Sequence, residues 1–572
     1  MKVFITSLNS KYIHSNLAIR YLYKYALQIP GTDIFIEDFT INQRKDFIIK
    51  KIVMSKSDII AFSIYIWNYS MTIEIINSIK KINPNIRIIV GGPEVSYDPE
   101  ELLKRVPSID YVIFGEGEIP FQNLIKALMN DEKDICLSGV AYVENEELVM
   151  GPKNPLMSID SLIFPYDLPF DKNKLVYYES SRGCPYNCSY CISSTIKGVR
   201  YKSLDLVEKD LQLFLDQRVK IVKFIDRTFN IDKKRSLEII KYMIDNDNGV
   251  TTFHLELSPN LIDEDWIDLL EGVRKDLVQF EVGIQSVHEK VIEAVNRNIY
   301  FDKIKVTLKE LIELQNIHIH VDLIAGLPYE GLKKFMKSFD EVYALKADHF
   351  QLGFLKLLKG SQIRREQEKY GYVYDSEPPY EIFSNDFLSY SDMVYLKDIE
   401  ELLENYYNSH HFENTIEFVV NRFDSPSDFY DAFSEFWNKR KLFEQKHKLI
   451  DLFIYLYQFL EEKDGLNLPL IKELMKLDYH RKSRYKETKF FGRLDIDIPR
   501  HEIHEMIKDE KFILETMPQF KQYSAKEIIK SIQIMSFDYN VFDESYQKIR
   551  TIGYFDYKND KFGIIGVDDN NE

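Results

Sequence analysis

Short apolar runs alternate with amphipathic stretches over residues 1–130. KVFITSL, DIFIEDF, DIIAFSIYI, IRIIVGG and YVIFGEG read as strands. Between them, NLAIRYLYKYAL and MTIEIINSIKKI carry apolar residues at helical spacing. Strand and helix in alternation predict a parallel sheet covered on both faces. Such sheets bind ligands at the carboxyl ends of their strands. Three polar or glycine-rich loops fall there: NSKYIHSN (9–16), VGGPEVS (90–96) and FGEGEIP (114–120).

Residues 136–174 read as a connector, with a hairpin in GVAYVENEELVMGP and an extended, proline-rich FPYDLPFD. From residue 175 the alternation resumes with a longer period. LVYYESS, VKFIDRTF, TFHLELS, VQFEVGIQS, HIHVDLIAGL and HFQLGFLKL are strand candidates, separated by helical patterns such as LVEKDLQLFLDQ and DKIKVTLKELIEL. Six strand–helix units predict a barrel or partial barrel with its site at the strand ends. After about residue 375 the strand signal fades into amphipathic helices, among them MVYLKDIEELLENYYNS and KHKLIDLFIYLYQFLEEK. IGYFDYKNDKFGIIG reads as a last hairpin, and the acidic DDNNE as a frayed end. The expected division is α/β: 1–135, the connector 136–174, a barrel over 175–370 and a mainly helical domain over 371–572.

Composition narrows the class. Apolar residues make up 45% and charged residues 29%, as in an ordinary globular protein. The 37 Tyr and 38 Phe point to aromatic-lined interiors. A net charge of −17 argues against a broad nucleic-acid surface. One local basic patch with tyrosines, DYHRKSRYKETK (478–489), reads as a solvated helical face. No apolar run reaches the roughly 20 residues of a membrane span. The amino terminus lacks the apolar core and cleavage site of a signal peptide. Four cysteines in 572 residues are no disulfide framework, so the expected compartment is a reducing cytoplasm.

Three of those cysteines crowd into YYESSRGCPYNCSYCISS, at 184, 188 and 191. One short loop presents three thiolates to one point, as a metal centre needs. A structural zinc site asks for four ligands, and the next histidine downstream is at 254. Iron–sulfur clusters usually take four cysteines, so one metal position would stay open for chemistry. Cys136 is the remaining cysteine and reads as a buried core residue.

RGCPYNCSYC resembles the cluster loop of the radical S-adenosylmethionine superfamily, including the aromatic Tyr190 before the last cysteine. The resemblance implies a [4Fe-4S] cluster on Cys184, Cys188 and Cys191, with S-adenosylmethionine chelating the open iron. It also implies a 5′-deoxyadenosyl radical formed by one-electron cleavage. FIDRTFN, FHLELSP, FEVGIQS, DLIAGLP and LKLLKGSQI are similar to the family's later barrel strands. On that basis Asp226, Glu256, Gln285 and Ser286 are the candidates for holding S-adenosylmethionine. Carboxylates and amides suit its ammonium and ribose hydroxyls. His318 and His320 share a strand face and read as barrel-lining residues.

AFSIYIWN, VGGPEVS and FGEGE resemble the Rossmann-like cobalamin-binding domain of many radical enzymes. That implies backbone approach to the corrin or its tail at Gly91, Gly92, Gly115 and Gly117, and a hydrogen bond from Ser63. In YIHSNL, Tyr12 and Leu17 replace the Asp and Gly of the D-x-H-x-x-G cobalt-ligand motif. His14 therefore reads as a loop or packing residue.

The combined resemblance implies a cobalamin-dependent methyltransferase acting on an unactivated carbon. One S-adenosylmethionine would remethylate cobalamin, and a second would supply the radical that opens the substrate carbon. An electron donor such as flavodoxin or ferredoxin is implied; the substrate, with a small molecule favoured over peptide or RNA, is not. A rearrangement or ring contraction without methyl transfer is the alternative reaction. A corrinoid- or cluster-binding sensor is the alternative of another class.

Overall fold

The computed structural model describes residues 1–132, 135–482, 488–491, 500–559 and 561–568. Two compact units divide at Met393 and Val394. The basic stretch 478–489 lies partly outside the described residues, as does all but the first residue of DDNNE.

Unit one opens with strands β1 (Lys2–Asn9), β2 (Asp33–Thr40), β3 (Ile59–Ser63), β4 (Arg87–Gly91) and β5 (Tyr111–Ile113). They pair in parallel in the order β2-β1-β3-β4-β5. The hairpin β6 (Val140–Glu144) and β7 (Glu147–Met150) follows, antiparallel, on the same sheet. Successive side chains feed opposite faces, which is why the strands are apolar throughout. Phe4, Ile60, Phe62 and Val90 pack on Ile48, Ile52, Ile75 and Ile79 of the helices Lys45–Met54 and Tyr69–Ile82. Val3, Ile5, Ala61 and Ile89 pack on Ile19, Phe121 and Leu124 of Leu17–Ala26 and Glu118–Met129. The chain reverses direction across the sheet between β1 and β3, so a crevice opens at their carboxyl ends.

The second sheet begins with β8 (Val176–Tyr178), from which the chain runs into the hairpin β9 (Ser181–Cys184) and β10 (Gly198–Tyr201). It continues through β11 (Ile221–Phe224), β12 (Thr252–Leu257), β13 (Val278–Gln285), β14 (His318–Ala325) and β15 (His349–Phe354). The parallel order is β15-β14-β13-β12-β11-β8, each strand beside its predecessor, as in a partial barrel. In β14, Ile319, Val321, Leu323 and Ala325 are buried under helices, while His318, His320 and Asp322 alternate with them on the half-buried inner face. Register places Glu256, Glu281, His320 and His349 in one rung. The interior is thus polar, unlike the branched aliphatic filling of a closed barrel.

Unit two is mainly helical, with a core rich in rings; Phe429, Phe433 and Trp437 of the helix Pro426–Lys439 are fully buried. It ends in a three-stranded antiparallel sheet, Ile532–Phe537, Arg550–Asp556 and Lys561–Asp568. Its last two strands form the expected hairpin.

Candidate functional site

The β9–β10 hairpin carries the cysteines at the carboxyl end of β8. Cys184 ends β9, and Cys188 and Cys191 sit in the loop that follows. All three are free thiols. The loop is fastened from several sides. Ser189 N–H donates to Val295 O at 2.9 Å, and Ile363 N–H to Ser189 O at 2.9 Å. The Tyr186 hydroxyl lies 3.1 Å from that of Ser258. Cys191 N–H donates to Cys188 O at 3.1 Å. Burial pushes the Cys188 thiol up, and the Arg297 guanidinium, 3.8 Å from its sulfur, acts against that. Among the described residues no three His, Cys, Asp or Glu side chains are gathered to hold a single metal ion. A cluster asks for something different: one thiolate for each of three irons. Three unpaired thiols on one anchored loop fit that demand.

Cys136 is exposed, which corrects its expected burial. Ile135, Val140 and Ala141 beside it take the interior positions instead.

Asp226, at the end of β11, is 1% exposed. It accepts from Ser180 N–H at 2.8 Å, the Ser180 hydroxyl at 2.7 Å and the Ser181 hydroxyl at 2.5 Å. Burial pushes its carboxyl up to about 6, against these bonds. Its oxygens are occupied by the backbone turn that leads into the cysteine hairpin. Glu256 is different: half-buried, inside the barrel, with its pKa pushed up to about 7 by burial and eased by Arg227. No hydrogen bond to its carboxylate is made among the described residues, so it remains available to a ligand. Gln285 takes φ +72 after a β-bulge at Gly283, and its amide donates to Asp322 Oδ2 at 3.1 Å. The Gln285 carbonyl is buried without a partner. The Ser286 hydroxyl donates to Glu330 at 2.6 Å. The Tyr190 hydroxyl accepts from Arg297 at 3.1 Å.

Lower in the barrel, His254 and Lys223 lie 2.8 and 3.0 Å from Glu281 and, against burial, hold its carboxyl down at about 2. His318 and His320 line the interior as their alternation predicts, and His320 packs against His254 and His349.

A cavity of about 410 Å³ lies between the carboxyl edge of the first sheet and the cysteine hairpin. Ser63, Gly91, Gly92, Gly115 and Gly117 all line it. Arg182, Gly183 and Ser193 close it from the hairpin side, and Arg227 from the barrel. The glycines differ in what they are for. A Cβ on Gly92 would stand 2.5 Å from Ile64 O, so packing alone excludes a side chain there. A Cβ on Gly115 would meet nothing within 4 Å, so bare backbone faces open space. That bare floor, with apolar Ala61, Ile89 and Phe121 beneath it, fits a bulky amide-rimmed ring or its tail. His14 does not line the cavity; its Nδ1 is 2.7 Å from the Tyr177 hydroxyl.

Arginines from the hairpin hold the two sheets together. Arg182 lies 2.5 Å from Glu118 and 2.7 Å from Glu179, and Arg200 pairs with Glu116. These arginines, with Arg227 and Arg297, escaped the sequence reading. Arg182 and Arg227 stand inside recognised motifs, RGCPYNCSYC and FIDRTFN, but no spacing rule links them, Arg200 or Arg297 to partners distant in the chain.

Comparisons with known proteins follow the same division. Residues 5–125 match a family profile described as B12 binding domain, and residues 178–342 one described as Radical SAM superfamily. Residues 368–553 match one described as Protein of unknown function (DUF4080). An uncharacterized methyltransferase of Pyrococcus horikoshii is 30% identical over 46% of this chain and 61% of its own. The cobalamin-dependent radical SAM methyltransferase TokK of Streptomyces tokunonensis is 28% identical over 49% of this chain and 44% of its own. The chain thus spans less than two thirds of these curated relatives. The solved cobalamin-dependent S-adenosylmethionine radical enzyme OxsB, with aqua-cobalamin and S-adenosylmethionine bound, superposes with a TM-score of 0.57. It is 15% identical, over 84% of this chain and 78% of its own, a likeness of fold. The class is therefore defined: a B12-binding domain followed by a radical SAM domain. This chain carries both domains in its first unit, and a mainly helical unit follows.

Proposed function

We propose that this chain is a cobalamin-dependent radical S-adenosylmethionine methyltransferase acting on an unactivated carbon. One observation carries the reading: a single cavity is lined both by the glycine-rich edge of the B12-binding sheet and by the cysteine hairpin. When bound, the cluster with S-adenosylmethionine supplies a carbon-centred radical, and cobalamin supplies a methyl group.

The chain's own residues do the holding. Cys184, Cys188 and Cys191 ligate the cluster. Asp226 fixes the turn that aims them. Glu256 binds the ligand's ammonium, with Gln285 and Tyr190 at neighbouring strand and loop ends and Ser286 bracing its strand through Glu330. Gly115, Gly117, Gly91 and Ser63 form the corrin-side floor, while Gly92 shapes it by packing on Ile64. The ion pairs of Arg182 and Arg200 keep the two sheets at fixed separation, so the cavity between them persists. The working domains are 1–135, 136–174, 175–370 and 371–572. A small-molecule substrate is supported by one relative whose name states such a substrate, 2-(S-pantetheinyl)-carbapenam-3-carboxylate methyltransferase. No helix among the described residues is long and apolar enough to cross a membrane. The reading places the work in an anaerobic cytoplasm, with a flavodoxin- or ferredoxin-like donor supplying the electron.

The test is isotopic. Reconstituted protein, cobalamin, reductant and methyl-deuterated S-adenosylmethionine are incubated with a small-molecule extract, and products are read by mass. A product carrying the deuterated methyl group supports the proposal. Cleavage to 5′-deoxyadenosine with an altered but unlabelled product assigns a rearrangement instead.

A further inference from the structure

The Arg297 guanidinium is built against the cysteine loop with unusual care. It follows the helix Glu289–Ala294, and its own N–H donates to Ile292 O at 3.0 Å. The preceding Val295 O accepts from Ser189 N–H, beside Cys188. Nη1 stands 3.8 Å from Cys188 Sγ and 3.1 Å from the Tyr190 hydroxyl. Nη2 donates to Gly283 O. Gly283 leaves room for this: a Cβ there would stand 3.0 Å from Nη2 and 2.2 Å from the Gln285 amide nitrogen. Nε is buried without a partner.

No carboxylate lies within ion-pair distance of Arg297 among the described residues. A desolvated cation without a counter-charge is unfavourable. The ionisable groups it touches are the Tyr190 hydroxyl, which burial keeps in its neutral form, and the Cys188 sulfur; the buried Asp322 carboxyl acts on it only from beyond ion-pair distance. We propose that Arg297 is the counter-charge of the iron–sulfur cluster, a positioning residue that raises the cluster's reduction potential by favouring the more negative, reduced state. This rests on the cluster reading of the cysteine loop. Hydrogen bonds and charge near cluster sulfurs are established determinants of potential.

The experiment is a potentiometric titration of the reconstituted full chain without S-adenosylmethionine, followed by the electron paramagnetic resonance signal of the reduced cluster. Arg297→Met is expected to keep its iron and to lower the midpoint by at least about 59 mV, a tenfold change for one electron. Arg297→Lys, which keeps the charge, is expected to restore most of that shift. An unchanged midpoint in Arg297→Met overturns the proposal. So does an unchanged midpoint with lost S-adenosylmethionine binding, which would give the guanidinium to that ligand's carboxylate. If Arg297→Met does not hold iron, Tyr190→Phe is titrated instead. It removes one of the bonds that hold the guanidinium and is expected to lower the midpoint by less; no shift there also overturns the proposal. Wild-type protein that takes up no iron refutes the cluster reading itself.

Discussion

Asp226 separates two roles that sequence alone confuses: holding S-adenosylmethionine, or holding the turn before the cysteines. The structure favours the turn, with three donors on one buried carboxylate. With its carboxyl pushed up to about 6, protonation at pH 7 costs only about 1.4 kcal/mol, one pKa step. Asn at 226 is a permanent version of the protonated acid. Its carbonyl can accept Ser180 N–H while its amide donates to the two hydroxyls, which rotate to accept. Asp226→Asn is therefore expected to cost about 1–2 kcal/mol locally and to leave iron content and S-adenosylmethionine affinity near wild type. Asp226→Ala strands the Ser180 N–H and two hydroxyls on residues 2% and 7% exposed. At about 1–3 kcal/mol for each of the three buried unsatisfied groups, the turn loses roughly 3–9 kcal/mol. The assay is iron per chain after reconstitution, with equilibrium binding of S-adenosylmethionine. Full iron with lost binding in Asp226→Asn would refute this reasoning and return Asp226 to the ligand. Full iron in Asp226→Ala would show that the turn needs no such latch.

Three further outcomes are expected. Glu256 binds an ammonium only when ionised, so S-adenosylmethionine affinity should fall as pH drops through about 7, and Glu256→Gln should be weaker and flat with pH; a flat wild type removes Glu256 from the site. Gly115→Leu places a side chain in the cavity and adds about 1–2 kcal/mol of strain at φ +78, so retained cobalt should drop while iron stays constant; cobalt retention at wild-type level would mean the corrin lies elsewhere. Burial, then His318, His349 and His254, lower the His320 pKa to about 3. The unfolded chain then binds more protons between 3 and 6.5, so stability is lost as pH falls through that window. His320→Asn should flatten the fall in melting temperature towards pH ~5, and an unaltered slope would exclude His320 as its source.

Much of the architecture was legible because it rests on local periodicity. The strand and helix alternation of β1–β5 and of the six barrel strands can be read directly from apolar spacing. What escaped depends on pairing across the chain. Expected as part of a connector, β6 and β7 extend the first sheet. The cysteine hairpin went unseen because RGC and GVRY carry no alternating apolar pattern. Ile532–Phe537 went unseen as a strand because IQIMSF is as apolar as a helical core. At the site, the three cysteines and the glycine loops announced themselves by composition and spacing. Asp226 stood out by type, yet its hydrogen bonds lead to Ser180 and Ser181, which no motif relates to it. Arg297 is one arginine in VNRNIY, and only its loop's docking on Ser189 brings it to the cysteines. Cys136 shows the converse: a residue type that is commonly buried sits exposed beside a buried isoleucine.

The most direct measurement is metal content with a visible spectrum. The protein is purified without oxygen, its cluster reconstituted, cobalamin added and the excess removed by desalting. The account predicts about four irons and one cobalt per chain, with cluster and corrin absorption together. About four irons with no retained cobalt would contradict it and leave a radical enzyme whose first domain serves another purpose.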